Sequence, residues 1–281
     1  MVAFLEPIEY LLTPCLMLAS SSYYIPVTIR QLIRKREWSS LVRWSRFQPA
    51  WFANFWGWAG ARIRENVGKN VLIPLLQGRI RHGKLLDEDK ERKRLPAVSG
   101  VVVEVGPGNG MWVQALSEFV RKSSKSSRSS SSSSSKKVSK IYGVEPNVSA
   151  HVALRRTIYE AGLDGIYEIV PTGVEDLAQS GVPKGSVDCI VSVLCLCGIP
   201  DPAFNIKELY SYLKPGGRMY VYEHVVVSRH WSIKLYQAFV NLFWPTFLNG
   251  CNLQRDTLRY LREAGPWTNI DVAITPPMLC Y

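Results

Sequence analysis

The sequence predicts an α/β fold, a doubly wound and mostly parallel sheet, and three observations carry that reading. The run Val101 to Val105, interrupted only by Glu104, has the apolar and β-branched character of a strand buried on both faces. Gly106-Pro107-Gly108-Asn109-Gly110 follows at once as a tight turn into Met111 to Val120, whose apolar spacing is helical. Further short apolar runs recur behind it, separated by helical or loop segments, as a parallel sheet built from βαβ units requires.

A strand, a glycine turn and a helix start make a nucleotide-binding corner. Glycine lets the backbone approach a ligand closely, and the free N–H groups of the next helix face the crevice. The glycines at 106, 108 and 110 are spaced G-x-G-x-G, with Met111 where a dinucleotide-binding turn carries its last glycine. A nicotinamide oxidoreductase is therefore disfavoured.

At 281 residues, 47% of them hydrophobic, the chain fits one α/β domain with additions. Its net charge of +11 falls largely in three runs, Arg30 to Arg36, Arg79 to Arg94 and Arg121 to Lys140. Runs of this kind are solvated loops, and without a recognition motif no nucleic-acid partner is expected. Cysteines at 15, 189, 195, 197, 251 and 280 show neither a paired metal-ligand spacing nor a disulfide frame. No metal is expected, and the thiols suit a reducing, intracellular compartment.

Residues 1–37 form a hydrophobic amino-terminal arm. Tyr10 to Ile29 carries no charge and Arg30, Arg34, Lys35 and Arg36 follow it, which suits a membrane anchor. Pro14, Pro26 and Ser20-Ser21-Ser22 are expected to break the helix, so an interfacial segment, a packing arm and a targeting peptide remain alternatives to a span. Residues 38–97 are read as an aromatic-rich helical lid with a charged connector. Trp44, Phe47, Trp51, Phe55 and Trp58 recur at spacings of three and four along one helical face, and residues 78–97 read as a solvated connector.

Residues 98–281 are the core. The serine-rich and basic segment 121–137 cannot bury enough apolar surface to fold and is expected to be a disordered loop. It also explains why Glu104 and Glu145 lie 41 positions apart, farther than one βαβ unit needs. Val138 to Val144 is the second strand, with Glu145 and Pro146 at its carboxyl end. There a carboxylate can accept both hydroxyl hydrogens of a ribose. Tyr167 to Val170 is the third strand and exits through Gly173-Val174-Glu175-Asp176. Val187 to Val193 is the fourth; Asp188 at its start is read as structural, and Leu194 to Cys197 leave its end. Asp201-Pro202 is expected to cap a helix whose Ile206, Leu209, Tyr210 and Leu213 make a buried face. Arg218 to Glu223 is the fifth strand. His224 follows it over the crevice, where a neutral imidazole can accept a proton; hydrogen bonding to backbone or shaping the pocket are the alternatives. Asn269 to Ile274 is the sixth strand. Thr275 to Tyr281 offers no seventh.

The segment Glu104-Val105-Gly106-Pro107-Gly108-Asn109-Gly110 resembles the first motif of class I S-adenosylmethionine-dependent methyltransferases, and the Leu213-Lys214-Pro215-Gly216-Gly217 turn is similar to theirs. From Trp38 to Ile274 the chain resembles the methyltransferase-like 7 group, membrane-associated enzymes that methylate small alkyl thiols, and its fungal and bacterial relatives. Tyr222-Glu223-His224-Val225, the apolar segment Trp231 to Leu248 with Trp244-Pro245, and Gly250 to Thr257 carry that closer likeness. The resemblance implies a Rossmann-like sheet, S-adenosylmethionine as cofactor and a small lipophilic acceptor, with a thiol as first choice and His224 as its base. It further implies cofactor contacts from Glu104, Gly106, Gly108, Gly110, Glu145, Pro146, Val174 and either Glu175 or Asp176. Glu104 would reach the cofactor's amino group or the turn's own backbone, and Cys251 either lines the acceptor pocket or packs as a small apolar residue. A membrane-surface location, on endoplasmic reticulum or lipid droplets, is implied as well. The pattern departs from the class in lacking the seventh antiparallel strand, so the expectation is a six-stranded core. An inactive S-adenosylmethionine-binding scaffold is the alternative to an enzyme.

Overall fold

A computed structural model of the chain describes residues 6–86, 94–121, 137–227 and 231–273. The serine-rich segment lies almost wholly outside the described residues, as does the tail beyond residue 273.

Helix α1 (Glu6–Arg34) runs through both Pro14 and Pro26, contrary to the expected break. Each proline removes one ladder hydrogen bond. Tertiary packing offsets this: Pro14, Ser21, Thr28 and Leu32 form a buried stripe, and Trp51 donates its indole N–H to Ser21 O at 2.7 Å. No helix among the described residues is long and apolar enough to cross a membrane.

After the short α2 (Trp38–Val42), α3 (Trp44–Val67) crosses α1. The predicted aromatic face is corrected by burial. Trp51 and Phe55 are buried with Ala59, Ile63 and Val67 at intervals of four, whereas Trp44 and Trp58 are exposed. A π-helical turn (Gly68–Leu72) leads into α4 (Ile73–Leu76). The supposed connector then folds into a hairpin, β1 (Ile80–Arg81) with β2 (Lys84–Leu85). Farther along it, Pro96 O accepts the Tyr220 hydroxyl at 2.7 Å.

The sheet contains β3 (Gly100–Val105), β4 (Val138–Val144), β5 (Tyr167–Val170), β6 (Val187–Val193) and β7 (Leu213–Tyr222) in the order β5-β4-β3-β6-β7. All four pairings are parallel. Helices α5 (Val113–Arg121), α6 (His151–Glu160) and α7 (Pro202–Tyr212) connect or flank these strands, followed by α8 (Trp231–Asn241), α9 (Trp244–Phe247) and α10 (Thr257–Glu263). The chain winds from β3 outward to β5, then returns to place β6 on the other side of β3. That reversal opens a crevice at the carboxyl ends of β3 and β6, where open parallel sheets bind ligands.

The expected sixth strand does not form. Residues 269–273 make no ladder with β7; instead Asp271 Oδ1 accepts the His82 backbone N–H at 2.8 Å, and its other oxygen lies 3.9 Å from Arg81 Nε. The hairpin holds this segment through a carboxylate that a sheet interior would leave unpaired. Five strands, not six, form the sheet among the described residues.

Candidate active site

Each glycine of the turn has its own constraint. Gly106, Gly108 and Gly110 all have positive φ, at +64°, +56° and +88°. A Cβ at Gly106 would stand 2.3 Å from Cys195 Sγ, and one at Gly110 would stand 2.9 Å from Thr157 on α6. Those two glycines serve close packing. At Gly108 no atom lies within 4 Å of a built Cβ, so its bare backbone faces open space. This is the place where a ligand can approach.

Glu145 organises the same corner. One carboxylate oxygen accepts Gly108 N–H at 2.8 Å and the other accepts Asn147 N–H at 2.8 Å. Its own carbonyl is held by the buried His151 ring at 2.8 Å. Glu104 lies behind the turn, 2% exposed. Its Oε2 accepts the Tyr167 hydroxyl at 2.6 Å, while Oε1 is buried with no hydrogen bond among the described residues. Burial pushes the Glu104 carboxyl up to about 7, against the Tyr167 hydrogen bond and with help from the nearby Glu145 charge. The open Gly108 backbone and the Glu145 carboxylate line a cavity and fit a ligand that carries a cationic amino-acid end, whereas Glu104 is not among the residues that line it.

Around the crevice, Pro146, Val174 and Glu175 line the same cavity of about 1630 Å³ as the glycine turn. Asp176 lies outside that lining and accepts a hydrogen bond from Gln179 at 3.1 Å. Asp188 has the structural part expected of it, accepting Val101 N–H and the Lys214 ammonium at 2.8 Å each. Asp201 differs from expectation: its backbone is left-handed, and its side chain makes no capping bond. Asp256 does cap α10, accepting Arg259 N–H at 3.2 Å.

Sequence reasoning placed Glu223 at a strand end but missed its work. Its carboxylate accepts Ser192 Oγ at 2.8 Å, the backbone N–H groups of Cys195 and Leu196 at 2.9 Å each, and that of Cys197 at 3.2 Å. Burial raises the carboxyl and these four donors oppose the rise. Leu194, at φ +55°, turns the chain so that the three N–H groups converge there. Glu223 thus fixes the loop that carries Cys197, and the adjacency of Glu223 to His224 was its sequence signal. A second missed residue is the buried Gln237. Its amide donates to Val225 O at 3.0 Å and accepts Val227 N–H at 2.9 Å, gripping the segment that follows His224. No periodicity distinguishes it.

At the far side of the cavity, His224 Nδ1 lies 3.3 Å from Cys251 Sγ and 3.6 Å from Cys197 Sγ; the two sulfurs are 3.1 Å apart. The Trp244 indole N–H donates to Cys251 Sγ at 3.3 Å. The Cys197 thiol, and after it the neighbouring His224, hold Cys251 well below the usual thiol range despite burial. Cys197 is pushed well above that range, first by its hydrogen bond to Cys251 and then by burial. Both thiols and His224 line the cavity that contains the glycine turn.

A family model described as a methyltransferase domain matches residues 79–265. Human thiol S-methyltransferase TMT1A is 29% identical over 121 residues, covering 43% of this chain and 49% of that protein. Human thiol S-methyltransferase TMT1B is 32% identical over 106 residues, covering 37% and 42% respectively. The chain thus spans about half the length of the curated relatives it matches. Among solved structures, an arsenic(III) S-adenosylmethionine methyltransferase from Chlamydomonas reinhardtii overlaps 60% of this chain and 54% of its own, at 19% identity and a TM-score of 0.41. The family match runs from the hairpin through α10 and takes in more than half of the 281 residues, so the chain belongs to the methyltransferase domain family.

Proposed function

We propose that this protein transfers a methyl group from S-adenosylmethionine to a small lipophilic thiol. One observation carries the reading: the glycine turn and the Cys197–His224–Cys251 group open on a single cavity, with Phe52, Trp56 and Ile63 of α3 among its apolar walls. When bound, S-adenosylmethionine supplies a methyl group activated by a positively charged sulfonium. The residues suited to hold it are Gly108 by its open backbone, Glu145 by its carboxylate, and Pro146 and Val174 by contact; Gly106 and Gly110 shape the turn, and Glu104 stands behind it outside the cavity lining. Glu175 rather than Asp176 is our choice beside the adenine, because it lines the cavity. The thiol S-methyltransferases among the relatives support the acceptor class.

An acceptor thiol, with an ordinary pKa of about 8.5, must lose its proton to become a nucleophile. His224 and Cys251 share protons across 3.3 Å, and this pair takes the acceptor's proton. Helix α3 walls off the cavity as a lid, and holding the acceptor in line supplies much of the acceleration. The exposed residues Leu12, Leu16, Tyr23 and Val27 form a stripe on α1 opposite its buried one, and we assign that stripe to a membrane surface.

The direct test incubates the full chain with labelled S-adenosylmethionine and a panel of thiols, amines and phenols, beside calorimetric titration of the cofactor into wild type and Glu145→Ala. Labelled thioether and at least tenfold weaker cofactor binding by the variant are expected. Unaltered cofactor affinity would sink the Glu145 assignment. Cofactor bound with no acceptor methylated would instead mark a non-catalytic S-adenosylmethionine-binding protein.

A further inference from the structure

We propose that Cys251 and Cys197 form a thiol–disulfide exchange centre in the wall of the acceptor cavity, whose ligand is a small lipophilic disulfide. The inference deepens the acceptor reading above and rests on it in one respect, that the cavity admits small sulfur compounds. Geometry carries the rest. Two sulfurs 3.1 Å apart need to close by only about 1 Å to reach the bonded S–S length of about 2.05 Å. They come from different parts of the chain, one from the loop after β6 and one from the loop before α10, so bonding them joins two elements that are now linked by weaker contacts. The same cavity passes from both sulfurs to apolar walls, which gives a lipophilic disulfide a route to them.

The two thiols are also unlike each other, as exchange requires. Cys251 receives the Trp244 N–H at 3.3 Å, faces His224 Nδ1 at 3.3 Å, and lies 3.1 Å from the Cys197 sulfur. An indole N–H, an imidazole and a second thiol around one sulfur suit a thiolate, the attacking form. Cys197 keeps its proton and stands beside the nucleophile, the position of a resolving thiol. Cys189 and Cys195 have no comparable setting: burial raises both, and the Cys195 sulfur packs against Gly106.

The chemistry balances in two steps. The Cys251 thiolate attacks one sulfur of R–S–S–R, forming the Cys251–S–S–R bond and expelling one thiolate. The sulfur of Cys197 then attacks Cys251 Sγ, breaking that mixed disulfide, closing Cys197–S–S–Cys251 and expelling the second thiolate. The two protons are those of the Cys197 and Cys251 thiols, the latter passed to His224 as the thiolate forms, so one disulfide is reduced to two thiols as the protein dithiol is oxidised. Excess small thiol reverses both steps, which ties the state of the centre to the thiol–disulfide ratio. While the bond is closed, Cys251 is withdrawn from His224.

The test uses the full chain without S-adenosylmethionine, so that its failure is distinct from failure of methyl transfer. The reduced protein is mixed with 2,2′-dipyridyl disulfide under native conditions, and released pyridinethione is followed by absorbance. Expected is a fast phase releasing two thiones per chain, a protein lighter by two hydrogens with no adduct from that phase, and a peptide linking Cys197 to Cys251. Cys197→Ser should release one thione in the fast phase and retain a pyridylthio adduct on Cys251; Cys251→Ser should lose the fast phase. The wild-type peptide map decides the matter even if a variant fails to fold. An adduct left on wild-type Cys251, Cys197 reacting ahead of Cys251, or thiols inert until a chelator strips bound zinc would each overturn the proposal.

Discussion

Three positive-φ glycines sit within five residues at the turn, yet they answer to different neighbours. Gly106 clears Cys195, Gly110 clears α6, and Gly108 clears nothing, so it alone faces open space for a ligand. Spacing in the sequence could not separate them, because the neighbours that distinguish them arrive from distant segments. Glu104 shows the same limit: as a letter it interrupts an apolar strand, and its buried surroundings appear only when β4 and β5 close over it. Its folded carboxyl titrates near 7 against an ordinary 4.5, with Tyr167 and Glu145 as the ionisable groups that face it. Between those values the folded protein binds more protons than the unfolded chain, so this residue makes stability fall as pH rises from 4.5 to above 7. Glu104→Gln removes the buried charge and leaves an oxygen for the Tyr167 hydroxyl. We expect the variant to be more stable than wild type by about 3 kcal/mol at pH 8 and to show no gain at pH 4.5, measured by urea unfolding. A gain that does not change with pH would refute the assignment.

Strands buried on both faces are the elements the sequence declares most clearly. Val138 to Val144, Tyr167 to Val170 and Val187 to Val193 form the strands their apolar runs predict, because parallel pairing between covering helices needs nothing beyond that pattern. Asn269 to Ile274 carries a similar signal, yet its described part, residues 269–273, forms no strand, since Asp271 finds backbone and arginine partners in a hairpin nearly 190 residues earlier. The two prolines of α1 misled for a related reason: local rules count the lost ladder bonds, not the indole and helix contacts that hold the segment. The loop after β6 has a comparable long-range determinant in Glu223. Removing that carboxylate leaves three backbone N–H groups and a serine hydroxyl without their acceptor, at a cost of about 3 to 5 kcal/mol. Glu223→Ala should therefore lower stability by that amount and speed amide exchange at Cys195, Leu196 and Cys197. Unchanged exchange at those three amides would show that something else fixes the loop. Glu223→Gln, which retains one acceptor oxygen, should lie between the two.

At the scale of the whole molecule, the amino-terminal helix joins the methyltransferase domain while leaving one side uncovered. Tyr236 on α8 donates its hydroxyl to Leu11 O, and Ser21 on α1 donates to Phe247 O at 3.2 Å, so α1 lies against the region that bears Trp244 and its end of the cavity. Exposed apolar side chains also stand on α8, Trp231, Leu235 and Phe239, and Arg30, Arg34, Lys35 and Arg36 follow one another at the end of α1. An apolar face beside a cationic rim suits a helix lying in the interface of an anionic membrane, and it would bring a lipophilic acceptor to the cavity by a short path. The prediction follows from both forces. Full-length protein should sediment with vesicles containing anionic lipid, bind neutral vesicles at least tenfold less well, and lose most of the difference in high salt. Replacing Leu12, Leu16 and Val27 by glutamate touches only the outward stripe, so thermal stability should hold while vesicle binding is lost. If the triple variant sediments as fully as wild type, the face that binds lies elsewhere and the apolar stripe of α1 is covered by something other than lipid.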